Sequence, residues 1–125
     1  MYQKNKEGIM GIAIGTTPTI SIAITDLDLT TCLRDSFKVY FKQPGTDTVL
    51  VKDKTAIEFD DANHVVKTFL TQEDTLAMKK GKIQIEVRWL FDELLPDGQY
   101  TAAKTAPLET TVEDPVLKNE VITND

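Results

Sequence analysis

Cysteine and histidine are nearly missing from this 125-residue chain, which has one of each. A single thiol excludes an internal disulfide framework and a zinc site built on thiolates. An oxidising compartment is therefore not required. Cys32 lies in LTTCLRD with Arg34 as its only basic neighbour, so the expectation is a buried structural thiol. His64 has no second titrating group beside it and reads as a turn residue at the exit of a hairpin. Long apolar runs are missing too, and nothing approaches the roughly 20 consecutive apolar residues of a membrane span. The opening MYQKNKEGIMGIAIG has a basic flank, but Gly11 and Gly15 interrupt its apolar run and no small-x-small cleavage site follows. It reads as a polar leader before a first strand, without a secretion signal.

Clustered positive charge is scarce. Lys and Arg number 14 against 20 Asp and Glu, a net charge of -6. That balance argues against a nucleic-acid partner, which needs grouped cations to neutralise phosphates. The one basic run, Lys79-Lys80-Gly81-Lys82, has no interleaved aromatics and reads as a solvated turn. Gly8, Gly11 and Gly15 do not form a phosphate-cradling GxGxxG. Acids come as near neighbours: Asp26 with Asp28, Asp60 with Asp61, Glu73 with Asp74, Asp92 with Glu93. A glycosidase needs two carboxylates facing across roughly 5–9.5 Å, and a calcium loop needs a longer ligand series, to which Asp26-Leu27-Asp28 is the nearest approach. These acids read as solvated loop residues. No catalytic, cofactor-binding or metal-binding residue is assigned, and an enzyme is not expected.

What the chain does have is alternation. Ile20, Ile22 and Ile24, then Phe37, Val39 and Phe41, then Ile57 and Phe59, then Ile83, Ile85, Val87 and Trp89 recur at period two. Val65 and Val66 lead into Phe69 and Leu70, and residues 101–112 are weaker, with Pro107 pointing to an edge or a bulge. Gln43-Pro44-Gly45-Thr46-Asp47, Asp60-Asp61-Ala62-Asn63 and Leu95-Pro96-Asp97-Gly98 are turn sequences. Short strands at this spacing imply an antiparallel sandwich or barrel. Size suits one domain, and about two-thirds of the unfolded surface would be buried. Thr71-Gln72-Glu73-Asp74 reads as an N-cap and near capping box, with Leu76 and Met78 pressing on the core. Lys79 and Lys80 are expected at the helix C-terminus and Gly81 at its left-handed exit. Trp89 continues an inward face, leaving Leu90 or Phe91 exposed near a loop.

Five segments in order carry a resemblance: GTTPTISIAI (15–24), FKVYFKQ (37–43), FLTQEDTLAM (69–78), KIQIEVRW (82–89) and LKNEVI (117–122). The chain resembles a family of short prophage-encoded proteins of Gram-positive bacteria over roughly residues 11–122. In that family a GTTPT opening, an LTQEDTL corner, a VQIQ-like strand and a closing L-x-x-EV segment recur. It departs from the pattern in the longer, more acidic FDELLPDGQYTAAKTAP and in the leader before Met10. Such proteins are similar to phage tail or baseplate components, in particular the N-terminal β-sandwich domain of upper baseplate proteins.

Pattern and resemblance together lead to an all-β, antiparallel immunoglobulin-like sandwich with one short helical turn near residues 72–79. Residues 1–9 are expected as a polar extension and 10–125 as one domain with a short C-terminal tail. The resemblance implies a structural or assembly protein of the virion tail, made in the host cytoplasm. Its partners would be other tail or baseplate subunits, with a homo-oligomer natural in a symmetric assembly and neither nucleic acid nor membrane involved. The expected contact surface is the loop at residues 91–100, with Phe91, Asp92, Glu93 and Tyr100 as its residues. The rival reading is a carbohydrate-binding or adhesin-like module, which would call on exposed Trp89, Phe91 or Tyr100.

Overall fold

The computed structural model describes residues 11–114; the N-terminal extension, the C-terminal tail and the LKNEVI segment lie outside the described residues. In chain order the strands are β1 (Ile12–Ala13), β2 (Thr19–Ala23), β3 (Cys32–Lys42), β4 (Val49–Lys52), β5 (Ile57–Asp60), β6 (Val65–Phe69), β7 (Gly81–Leu94), β8 (Tyr100–Lys104) and β9 (Leu108–Glu113). The α-helix α1 (Gln72–Leu76) joins β6 to β7. One sheet has the order β1-β9-β7-β3-β4, with β8 also on β7, and the other is β2-β6-β5. Strands β9, β7, β3 and β4 stand where G, F, C and C′ stand in an immunoglobulin-like sandwich, and β2, β6 and β5 take the places of B, E and D.

Alternation fixes which side of each strand is inside. Phe37, Val39 and Phe41 of β3 and Ile83, Ile85, Val87 and Trp89 of β7 are buried, and Ile20, Ile22 and Val66 meet them from the other sheet in one core. Each such side chain contributes roughly 1.5–3 kcal/mol by leaving water. The stretch after Tyr100 divides into β8 and β9, with Pro107 in the connection, where its missing amide costs no ladder bond. In place of a disulfide the core holds an aromatic stack. Phe37 lies parallel to Trp89 at 5.5 Å and meets Phe59 edge-on at 4.9 Å.

The β3–β7 register moves from Leu33↔Leu90 to Lys38↔Arg88, so residues 34–37 bulge opposite Trp89. Ser36 pins the bulge: its hydroxyl accepts from the Leu90 amide at 2.8 Å and donates to the Leu33 carbonyl. The bulge explains how Phe37 reaches the core beside Trp89 while Lys38 resumes the outward face.

At the corner before β7, Thr71 caps α1 by accepting from the Asp74 amide, and the Asp74 carboxylate accepts from the Thr71 amide, a complete capping box. Leu76 and Met78 pack on the core. The expected C-terminal cap is corrected. The helix ends at Leu76 with Ala77 in right-handed geometry and no basic residue in its last turn. Lys79 instead has its backbone clamped by the Gln43 amide, which accepts from the Lys79 N–H at 2.9 Å and donates to its carbonyl. Gly81 opens β7 at φ 134°, so it serves a strand entry rather than a helix exit. Gln43, 36 residues away in sequence, bonds the backbone of Lys79 and holds it outside the helix, so Lys79 and Lys80 do not cap it.

Thr75 closes this corner onto the connection between β1 and β2. Its buried hydroxyl accepts from the Gly15 amide and donates to the Thr16 carbonyl, each at 2.9 Å. Thr75→Val keeps the shape but leaves that amide without its partner. It is expected to lower stability by about 1–3 kcal/mol, read as a lower urea midpoint at unchanged slope, with Thr75→Ser close to wild type.

Candidate functional site

The residues singled out for chemistry are taken up by local structure. Asp28 caps a 3-10 turn, accepting from the Thr30 amide at 3.0 Å and the Thr30 hydroxyl at 2.6 Å, and these bonds hold its carboxyl below the usual value. Asp60 accepts from Asn63, with the same effect, and Asp61 pairs with Arg34 at 2.7 Å. His64 sits at φ 55° leaving the β5–β6 hairpin, its Nδ1 2.7 Å from the Leu27 carbonyl. Cys32 is buried, and burial pushes its thiol up, away from reactivity. Among the described residues no group of three or more His, Cys, Asp or Glu is placed to hold a metal ion, and no helix is long and apolar enough to cross a membrane.

A cleft of about 290 Å³ lies between the β3–β4 hairpin and α1, with Glu73 and Asp74 on one wall. Asp74 is taken: Lys52, on the inward side of the edge strand β4, bonds it at 2.5 Å. Burial alone would raise this carboxyl, but the bonds from Lys52 and Thr71 outweigh it and hold it low. A general acid would need the opposite shift.

The surface with unspent character is the β7–β8 hairpin. A second slip of register, between Leu90 and Leu94, loosens β7 before Leu94 pairs with Tyr100. The turn is then tied by Leu95 N–H to the Gln99 carbonyl (2.7 Å), Gly98 N–H to the Leu95 carbonyl (2.9 Å) and Gln99 N–H to Asp97 (3.0 Å). Every residue from 92 to 100 is exposed. Leu94 is 60% exposed, and Leu95 and Tyr100 are also open, so three large apolar side chains share one hairpin end with Asp92, Glu93 and Asp97. No basic side chain lies between residues 91 and 100.

Of the four residues expected in the contact surface, Asp92, Glu93 and Tyr100 stand on this end, while Phe91 is half-buried with its ring edge-on to Trp89 at 5.9 Å. Trp89 is 6% exposed, so neither it nor Phe91 offers a free stacking face. Leu94 and Leu95 lie inside the expected contact loop at residues 91–100 but are not among the residues singled out there; their exposure adds the apolar part of this surface.

A second exposed region lies on the outer side of the larger sheet. Lys38, Tyr40 and Lys42 of β3 point outward beside Val49 and Val51 of β4 and Glu86 and Arg88 of β7. The Arg88 guanidinium lies 4.8 Å over the Tyr40 ring. Its bond to Glu86, reinforced by Lys104 at 3.4 Å, lowers that carboxyl. A shallow concavity of about 420 Å³ is lined here by Tyr40, Val49, Val51 and Pro107 together with the polar Lys42, Gln84, Glu86 and Arg88. Comparison with protein-family models, with curated proteins and with solved structures found no match.

Proposed function

We propose that this protein is a non-enzymatic assembly component of a prophage tail or baseplate, working through protein–protein contacts. The observation that carries the contact reading is the hairpin end, where Leu94, Leu95 and Tyr100 are held out to water by a tied turn. Three large apolar side chains exposed together are costly for a free monomer and are the kind of feature a partner covers. The turn is already tied by its own hydrogen bonds, so less loop ordering is required on contact, which keeps the entropic cost of association low. The phage setting rests on the resemblance of the GTTPT, LTQEDTL and KIQIEVRW segments.

The test is localisation in particles. Lysates of the encoding bacterium, induced for prophage and fractionated on a density gradient, should carry the protein with intact tails, and antibody should label the tail end. Recovery only in the soluble fraction, with particles bare, overturns the phage reading. The carbohydrate-binding reading retains Tyr100 as its exposed ring, and a glycan array lit by wild type and dark for Tyr100→Ala would favour it instead.

A further inference from the structure

We propose that the protein associates with itself head to tail, the acidic, apolar end of the β7–β8 hairpin of one copy seating on the basic outer face of the larger sheet of the next. This deepens the assembly reading by naming a second copy as a partner, and rests on that reading for its biological setting.

The argument is charge complementarity laid over two apolar surfaces. The hairpin end carries Asp92, Glu93 and Asp97 with no base, around Leu94, Leu95 and Tyr100. The outer face around Tyr40 carries Lys38, Lys42, Arg88 and Lys104, with Glu86, Glu109 and Asp53 as its nearby carboxylates. Glu86 already serves both Arg88 and Lys104, Asp53 feels the charge of Lys38 without a direct ion pair, and Lys42 forms none of the ion pairs among the described residues. This excess of cations stands out in a chain of net charge -6. Exposed Val49 and Val51 of the edge strand β4 supply the apolar patch beside Lys42 and Tyr40, and with Pro107 they give the concavity an apolar side for leucine side chains, its other side being lined by Gln84, Glu86 and Arg88.

Symmetric pairings are disfavoured by the same charges. Hairpin against hairpin would set three carboxylates against three, and face against face would set lysine against lysine. Hairpin on face matches both sign and polarity. Because the two surfaces differ, a pair keeps one hairpin end and one face free, so the contact is heterologous and propagates into a ring or an open row.

Sedimentation velocity on the purified chain tests this. The weight-average sedimentation coefficient should rise with concentration at low salt. Association should weaken at least tenfold toward about 1 M salt, where the Debye length is roughly 3 Å. Lys38→Glu with Lys42→Glu, and separately Leu94→Glu with Leu95→Glu, should each abolish growth while leaving circular dichroism unchanged. Mixed together, those two variants should form a one-to-one pair that grows no further, because one supplies an intact hairpin and the other an intact face. On the unaltered protein, a carbodiimide should join Lys38 or Lys42 to Asp92, Glu93 or Asp97 across labelled and unlabelled copies. A monomer at every concentration, a mixture that stays monomeric, or cross-links confined to single chains would overturn the proposal. Those outcomes leave incorporation into particles through other subunits standing, and bare particles with an intact self-contact would sink only the phage setting.

Discussion

Replacing Phe37 by alanine is expected to remove about 3–5 kcal/mol of stability, the range for deleting a buried aromatic side chain. Total stability for a domain of this size is of order 5–15 kcal/mol, so the variant would be close to unfolding. Phe37 is fully buried and is the ring on which the aromatic stack depends, parallel to Trp89 and edge-on to Phe59. Each such pair contributes about 0.5–1.5 kcal/mol beyond the area it buries. The site is also poorly able to collapse, because the Ser36 bonds hold the bulge that delivers Phe37 and hydrogen-bonded strands flank it. Phe91→Ala is the control. Its ring meets Trp89 at the rim, half-buried, and its loss should cost less than half as much. Urea midpoints of the two variants decide the matter, and a Phe37→Ala protein within 1 kcal/mol of wild type, as an order-of-magnitude threshold, would contradict this account of the core.

Asp74→Ala is expected to cost about 3 kcal/mol, because one carboxylate serves two structures. It completes the capping box of α1, whose loss alone is worth about 1 kcal/mol. It also neutralises Lys52, whose amine points inward under the edge strand and would be left enclosed without a counter-charge. Lys52→Met should be milder, since the hydrocarbon stem is replaced and Asp74 keeps the Thr71 amide. The pH dependence follows from the direction of the shift. Burial opposes ionisation of Asp74, but Lys52 and Thr71 prevail, and the folded-state pKa lies below the ordinary 3.8. Its contribution is therefore fully present above the unfolded pKa and is lost as pH falls through the folded one. The stability gap between wild type and Asp74→Asn should be constant near neutrality and should close in acid below that value. A gap that widened in acid would contradict the assignment.

The parts of this molecule that were legible are those decided within a few residues. Ile83, Ile85, Val87 and Trp89 declare an inward face by period alone, and Thr71 with Asp74 declares a cap by spacing alone. Strand β4 was not legible. It has four residues, and its inward pair is Leu50 and Lys52, where the lysine is tolerated only because Asp74 waits 22 positions further on. The end of α1 was misread for a similar reason, since Gln43 comes from another hairpin to bond Lys79. The candidate site was half legible. Asp92, Glu93 and Tyr100 stand out as polar or amphipathic in a turn region, whereas the exposure of Leu94, at the end of β7 beyond a register slip against β8, and of Leu95 in the turn is seen only in the structure. Slips and bulges depend on pairing between strands, and neither segment 34–37 nor segment 91–93 contains a Gly or Pro that would mark one locally.

Strands β1 and β9 run parallel, with Ile12 beside Val112 and the Ile14 amide bonded to the Glu113 carbonyl at 3.0 Å. Because the two strands are parallel, Gly11 at the start of β1 and Asp114 after the end of β9 lie at opposite ends of this seam. A tension on Gly11 and Asp114 therefore loads this seam lengthwise. Its bonds and the buried Ile12–Val112 packing must slide together, whereas the antiparallel β7–β8 hairpin would peel one bond at a time. Stretching between these two points is therefore opposed by shear of the seam as a unit.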